Sequence, residues 1–484
     1  MALAMIFLPL LLAGLAALVP SNRLRPWLLP LGGLAHTAML VSALVRPDLA
    51  DWSPIPGTGV LLGLDPAGTI VLAVVSLLFL FASFYSVGYL HHRMDRPNRV
   101  FVAGLLGFLG FASVVAWSRH LGLSWVAIEA TTLSTAPLIY FNHSKKSIEA
   151  TWKYLLVGSV GIALALLGTF FLAYSALKAG LPASMDFDTL SMNAALLSKP
   201  WLRAAFILAL VGYGTKMGLA PMHTWKPDAY GEAPGVVGAV FAGGVTSIAF
   251  LAFLRFYAIV GKAGEIAFAT RLLLPMGLLS MAVAGVFMIG QRDFKRMLAY
   301  SSVEHMGILM IGLGVGAPAL FGTMLHVVTN AMTKGVLFLS AGNIHRAFAS
   351  KSTDKVRGAL RRLPLSASFF LAAFFAITGS PPFGPFVSEF SIISAAFGSG
   401  FSLAAGLLLA FLFVIFVGMG RTVLKVLQGR PPSPEDIGSA YRDDALTVAP
   451  IAILMAIVLV LGLWIPAPLA ALLRSAAASI GGGS

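Results

Sequence analysis

The sequence predicts an all-α polytopic membrane protein, and three observations carry that prediction: an apolar composition, apolar runs of membrane-crossing length repeated from end to end, and basic residues gathered in short connections. Of 484 residues, 58% are hydrophobic and 11% charged, with a mean hydropathy of +0.89, far from the balance of a water-soluble domain. Each run of about 20 apolar residues covers a ~30 Å hydrocarbon layer as one helix, and together they leave no room for a soluble domain. The formal net charge of +14 sits in short loops rather than on a stripe or tail, so it reads as a topology signal and not as a nucleic-acid surface. The chain has no cysteine, which excludes a disulfide, a Cys-held iron–sulfur cluster and a thiolate metal site. Any electron transfer is expected in other chains.

Fourteen spans are expected, at roughly 2–19, 27–45, 67–90, 100–118, 121–141, 151–177, 203–229, 235–257, 271–290, 298–316, 318–345, 365–397, 402–427 and 446–472. The first has no basic residue ahead of its apolar core and reads as a retained helix rather than a signal peptide. Most Lys and Arg fall in the odd-to-even loops, among them Arg292 to Arg296 and Arg346 to Arg362. That asymmetry puts those loops in the cytoplasm and both termini on the outer face. The connection 178–202 is expected to hold a short interfacial helix. Residues 428–445, with Pro431, Pro432 and Pro434, read as a cytoplasmic loop, and Gly481 to Ser484 as a flexible tail.

Two spans are interrupted by proline at membrane depth. The seventh breaks around Gly218-Leu-Ala-Pro221, and the twelfth, five spans later, at Gly379-Ser-Pro-Pro-Phe-Gly-Pro385, which contains Pro381 and Pro382. Paired broken helices in corresponding positions point to transporter repeats with a site at the midplane. Five-span units have opposite topology, so the expected organisation is 1–99 for helices 1–3, inverted repeats at 100–257 and 271–427, and a last helix at 446–472.

Charges inside the spans are the candidate site, since an ionisable group in hydrocarbon is costly and needs a partner. The sequence offers Glu129 and Lys216 in the first repeat, and Lys334 and Glu389 in the second. A lysine desolvated alone sheds its proton readily, and the same lysine beside a carboxylate holds it, so relative movement of such a pair loads or releases a proton. His326, Asn330 and Lys334 follow at i, i+4 and i+8 on one helix face. His305 in Tyr300-Ser-Ser-Val-Glu-His305 and His223 beyond the first break add groups that titrate near neutrality. The plainer alternative is that buried Glu–Lys pairs and histidines only fix helix packing. Soluble-enzyme motifs are missing: there is no His-Glu-x-x-His and no Walker loop, and Gly312-Leu-Gly-Val-Gly316 lies in an apolar helix rather than a strand–turn–helix.

The runs Pro221-Met-His-Thr-Trp-Lys-Pro-Asp-Ala229 with Glu232-Ala-Pro234, Asp293 through Gly307, and His326 through Leu339 resemble the antiporter-like, proton-translocating subunits of respiratory complex I and its relatives. Trp125-Val-Ala-Ile-Glu-Ala-Thr-Thr-Leu133 and Thr378 through Glu389 resemble, within that superfamily, component F of hydrogenase-4 and its formate hydrogenlyase kin. The resemblance implies that Glu129 and Lys216 are the charge pair of the fifth and seventh helices, Lys334 the lysine of the eleventh, and Glu389 the terminal proton-exchange residue of the second broken helix. It also implies a lysine or histidine on the eighth helix, where this chain has Ser247 or a neighbour. The function implied is a proton-translocating subunit of a group 4 hydrogenase-type respiratory complex in a bacterial or archaeal plasma membrane. No cofactor is expected in this chain, with iron–sulfur clusters and a nickel–iron site in partner subunits. A multisubunit cation/proton antiporter moving protons or sodium ions, a pumping subunit of NADH:quinone oxidoreductase, and a membrane scaffold stay open as alternatives.

Overall fold

The computed structural model describes residues 1–46, 60–430 and 439–481; the expected loop prolines Pro431, Pro432 and Pro434 and the last three residues of the expected tail lie outside them. In chain order the main helices are α1 Ala2–Leu18, α2 Leu28–Val45, α3 Pro66–His91, α4 Arg99–Trp117, α5 Leu121–Ile139, α6 Lys145–Lys178, α7 Lys199–Met217, α8 Trp225–Glu232 and α9 Gly235–Lys262. There follow α10 Ile266–Met288, α11 Phe294–Val315, α12 Ala317–Phe348, α13 Pro364–Ile377, α14 Gly384–Gly398, α15 Ser402–Leu427, α16 Ala445–Leu463 and α17 Ala467–Gly481. Among the described residues there are only isolated β-bridges and no strand.

Local sequence sets the helix ends. Asp65 caps α3 by accepting from the Gly68 amide, with Pro66 at the first helical position. Ser144 and Ser147 form a reciprocal capping box on α6. Asp293 caps α11 by accepting from the amides of Lys295 and Arg296.

Nine helices among the described residues are long and apolar enough to cross a membrane by length and composition. The other expected spans are the 17-residue α1, threonine-rich α5, α12 with its His, Asn and Lys, and the two broken pairs α7–α8 and α13–α14. The helices that fall short are, α1 apart, those that carry the candidate polar groups or a break.

Both breaks are built the same way. α7 ends at Gly218 in the left-handed region, φ 75°, and the Leu219 amide reaches back to the Gly214 carbonyl at 2.8 Å. α13 ends beside Gly379, φ 68°, and the Ser380 amide reaches the Phe375 carbonyl at 3.0 Å. This is the glycine-terminated closure that satisfies the last carbonyls of a helix, with proline following because it cannot continue the helix. Pro221, Pro381 and Pro382 are exposed at these breaks, whereas Pro385 is buried in the first turn of α14. Pro385 therefore starts the second half-helix instead of breaking the first, because the missing amide of proline is tolerated there.

α9 and α11 are covered by protein along their whole apolar windows, and α12 packs against α3, α9, α11, α13, α14, α16 and α17. Large apolar side chains such as Phe7, Leu11, Val160, Leu403 and Phe413 face outward, as a lipid-facing surface requires. Polar ties lock the interior: His36 on α2 is held between Ser76 on α3 at 3.0 Å and Ser113 on α4 at 2.8 Å. Arg255 on α9 donates to the last carbonyls of α4, Val115 and Ala116, each at 3.0 Å.

The structure corrects one expected span, adds a feature the sequence did not signal, and contains a short helix where one was expected. The last expected span, 446–472, is two helices, since α16 stops at Leu463 and Pro466 precedes α17. α9 carries a π turn at Val240–Val245. The 178–202 connection does contain a short helix, Phe187–Met192, capped by Asp186, and Asp188 on it pairs with Arg119. There, burial draws the Arg119 guanidinium down, but the Asp188 hydrogen bond and the Asp65 charge more than offset it, so its pKa rises.

Candidate proton-relay site

Seven sequence-predicted side chains fall into two buried groups and one outlier. In the first group the Lys216 ammonium, at the end of α7, is fully enclosed. Its Nζ donates to Thr132 Oγ1 at 2.6 Å and to the Tyr154 hydroxyl at 2.9 Å, and lies 4.6 Å from the centre of the Tyr154 ring. Glu129, half-buried one turn before Thr132 on α5, accepts from Thr132 at 3.3 Å and from Ser159 of α6 at 2.7 Å. The expected Glu129–Lys216 ion pair is therefore indirect, with the Thr132 hydroxyl between the two charges.

In the second group, Lys334 on α12 donates to Ser301 Oγ of α11 at 2.6 Å. One and two turns earlier on the same face lie Asn330 and His326, both buried. His326 Nε2 meets His305 Nδ1 of α11 at 3.0 Å, and the two rings stack with centroids 5.1 Å apart. The other nitrogen of His326 meets Ser388 Oγ of α14 at 2.9 Å. Glu389, the next residue, lies 3.9 Å from His305 Nδ1, and its Oε1 has no hydrogen-bond partner. The expected Glu389–Lys334 pairing is not direct: Lys334 donates to Ser301, and Glu389 lies beside His305. The result is two runs of buried polar contacts across α14, α12 and α11, Ser388–His326–His305 with Glu389 beside it and Lys334–Ser301, with Asn330 lying between His326 and Lys334 on one face of α12.

Residues 118–420 match the transmembrane family described as NADH:quinone oxidoreductase/Mrp antiporter. The chain belongs to this family. It is 33% identical over 451 residues to a hydrogenase-4 component F homolog of Methylacidiphilum infernorum, spanning 91% of this chain and 92% of that one. It is 30% identical over 370 residues to NADH-quinone oxidoreductase subunit N of Desulforudis audaxviator, spanning 75% and 72%. In fold it matches a chain of the membrane-bound sulfane sulfur reductase, an archaeal respiratory membrane complex, with a TM-score of 0.87 over 99% of this chain and 97% of that one at 22% identity. It is thus an antiporter-like membrane subunit of the complex I superfamily, a multi-pass protein of the kind found in respiratory or antiporter complexes.

In this antiporter-like subunit the four expected interior charges are joined by others. Glu304 on α11, inside an expected span, is 1% exposed, with both carboxylate oxygens unpartnered and Oε2 3.8 Å from His305 Nε2. Lys226 on α8 and Lys295 on α11 are fully buried, and Arg255 on α9 nearly so. Lys295 falls in the expected loop before the tenth span, whereas Lys226 lies inside the expected span 203–229, just past its break and beside Pro227 and Asp228; Glu304 was legible, since it lies in the apolar run with His305. His223 is the outlier: its ring packs 6.2 Å from that of Tyr300, and its Nδ1 has no partner. Ser247 Oγ is spent on the Gly243 carbonyl of its own helix at 2.6 Å.

Among the described residues, His305, His326 and Glu389 bring one ligand atom each within 4.8 Å of one another. The facing histidine nitrogens are taken up by their mutual hydrogen bond, which in the neutral pair makes one the donor and the other the acceptor. A histidine pair bonded in this way can exchange a proton between its rings. At one end of the bundle a cavity of about 310 Å³ is lined by Lys153, Asp228, Glu232, Asp293, Arg296 and Lys351. Asp228 pairs there with Lys153 at 2.7 Å and with Arg296, and Glu232 with Lys351 at 2.7 Å.

Proposed function

We propose that this subunit translocates protons for a membrane-bound respiratory oxidoreductase of the group 4 hydrogenase type. The single observation that carries the reading is the buried file Glu389–His305–His326 leading toward Lys334, matched by Glu129–Thr132–Lys216 in the other half. Proton-transferring side chains linked by hydroxyls in an apolar interior are costly to bury, and intramembrane groups of this kind mark ion pathways. The residues proposed to carry protons are Glu129, Lys216, His305, His326, Lys334 and Glu389. His223 stands apart from both groups and is assigned no step.

The reading extends to architecture. Fourteen crossings, with α7–α8 and α13–α14 each counted as one, form inverted repeats at 100–257 and 271–427 around the two groups. The basic odd-to-even loops face the cytoplasm of a bacterial or archaeal cell, and both termini face outward. The charged cavity at Asp228 and Glu232 is then cytoplasmic. Partner subunits hold the iron–sulfur clusters and a nickel–iron centre, and redox chemistry there drives the proton steps by conformational or electrostatic coupling.

The test is Lys216→Ala and Glu129→Gln in the assembled complex. Each is expected to lower proton translocation by about tenfold or more, while electron transfer persists with an uncoupler present; undiminished translocation in both variants would sink the reading. The family description favours a second reading, a subunit of a cation/proton antiporter. Mass spectrometry of the gently isolated complex separates them. Companions with a nickel-site subunit support the hydrogenase type, NADH-binding companions point to complex I, and companions without any redox subunit point to the antiporter.

A further inference from the structure

Lys226 is fully buried, yet its polar contacts are all to one residue: Nζ donates to Ser302 Oγ at 2.9 Å and lies 3.4 Å from the Ser302 carbonyl. No carboxylate pairs with it among the described residues. An ammonium held without a counter-charge is a poor packing device, because its burial cost is not offset. Ser302 adjoins Ser301, the acceptor of Lys334. Consecutive hydroxyls of α11 therefore serve two lysines, one from each broken-helix half of the molecule.

The residue before Lys226 reaches the first group. Trp225, its neighbour, packs 5.1 Å from the Tyr154 ring that receives Lys216. Tyr230 lies 5.7 Å below the Lys226 ammonium, and its buried hydroxyl has no hydrogen-bond partner.

A separate observation concerns the breaks. A Cβ on Gly218 would strike the stem of Lys226, and a Cβ on Gly379 would strike the carboxylate of Glu389. Each broken helix folds an ionisable side chain of its second half back against the left-handed glycine that ends its first half. By construction, Lys226 is to the first break what Glu389 is to the second.

We propose that Lys226 is the relay lysine joining the two halves, receiving a proton from the Lys216 side and passing one through Ser302 and Ser301 to Lys334. The Lys226 amine becomes an ammonium as it accepts the proton and returns to the amine as the Lys334 amine becomes an ammonium. Each serine hydroxyl gains one proton as it gives up another, and no electron moves. Ser247 on α9 contributes nothing, since its hydroxyl is held by its own helix.

The inference rests on the proton-translocation reading above, and its test separates the two. The intact complex in proteoliposomes would be compared with Lys226→Met, Lys226→Arg and Ser302→Ala, with Lys216→Ala as control and assembly followed on blue-native gels. Both Lys226 variants are expected to cut protons moved per electron at least about tenfold, and Ser302→Ala by several-fold. Arginine decides the role: it keeps the cation and its donors but does not release a proton, so it replaces a structural ammonium and not a relay. Wild-type translocation in either assembled Lys226 variant overturns the proposal. If both fail to assemble, Ser302→Ala decides, and unaltered translocation there overturns it. Loss in Lys216→Ala with normal pumping in Lys226→Met removes the relay alone; normal pumping in Lys216→Ala removes the function as read.

Discussion

Gly218 and Gly379 stop helices at positions where a charged side chain of the next half-helix lies against their backbone. Any Cβ there meets a double obstacle, a positive φ that L-residues rarely adopt and direct contact with Lys226 or Glu389. Gly218→Ala and Gly379→Ala are each expected to cost about 1–2 kcal/mol in local stability and to lower proton translocation, because the ionisable group must move. Translocation assays in assembled complex check this; wild-type rates in both would mean that the glycines serve the backbone alone. At this scale Glu129, Lys216, Lys334 and Glu389 were legible because a charge inside an apolar run is conspicuous. Lys226 was not singled out, because Trp225-Lys-Pro227 lies past the proline break at the end of the expected span 203–229, among polar residues that hide its burial. Nor could spacing show that Thr132 separates Glu129 from Lys216, since that depends on which rotamers three helices allow.

Among elements, the second break is held from behind. Gly462 of α16 lies so close to the Pro382 carbonyl and the Phe383 backbone that a Cβ would collide with both. Gly462→Ala is expected to push α16 off the break and to destabilise the subunit by about 1–3 kcal/mol, as overpacking does, read as a lower midpoint in a thermal melt of the purified complex. An unchanged midpoint would show that α16 adjusts freely. Apolar periodicity placed most helices to within a few residues, and a Gly followed by Pro two or three residues later placed both breaks. The π turn in α9 and the bend at Trp464 to Pro466 escaped it. The first contains Gly243, packed closely against Leu78 and Ala331, and the second begins where the apolar run still continues.

For the whole molecule the open quantity is the number of crossings, because helices with polar interiors or breaks fall short of the simple hydropathy test that nine others pass. Between Ala183 and Lys355 the chain runs through α7–α8, α9, α10, α11 and α12. If each broken pair crosses once, these make an odd number of crossings, and the two residues lie on opposite sides of the membrane. Both are exposed, and the chain has no cysteine of its own, so a single introduced thiol reports against zero background. With the basic loops in the cytoplasm, Ala183→Cys should react with a membrane-impermeant maleimide in intact cells. Lys355→Cys should react only in inverted vesicles. Labelling of both from one side would require α7–α8 to re-enter rather than cross, or one of the other helices to lie in the plane. Either result would remove the inverted relation between the two broken helices and leave the glycine contacts alone to pair Lys226 with Glu389.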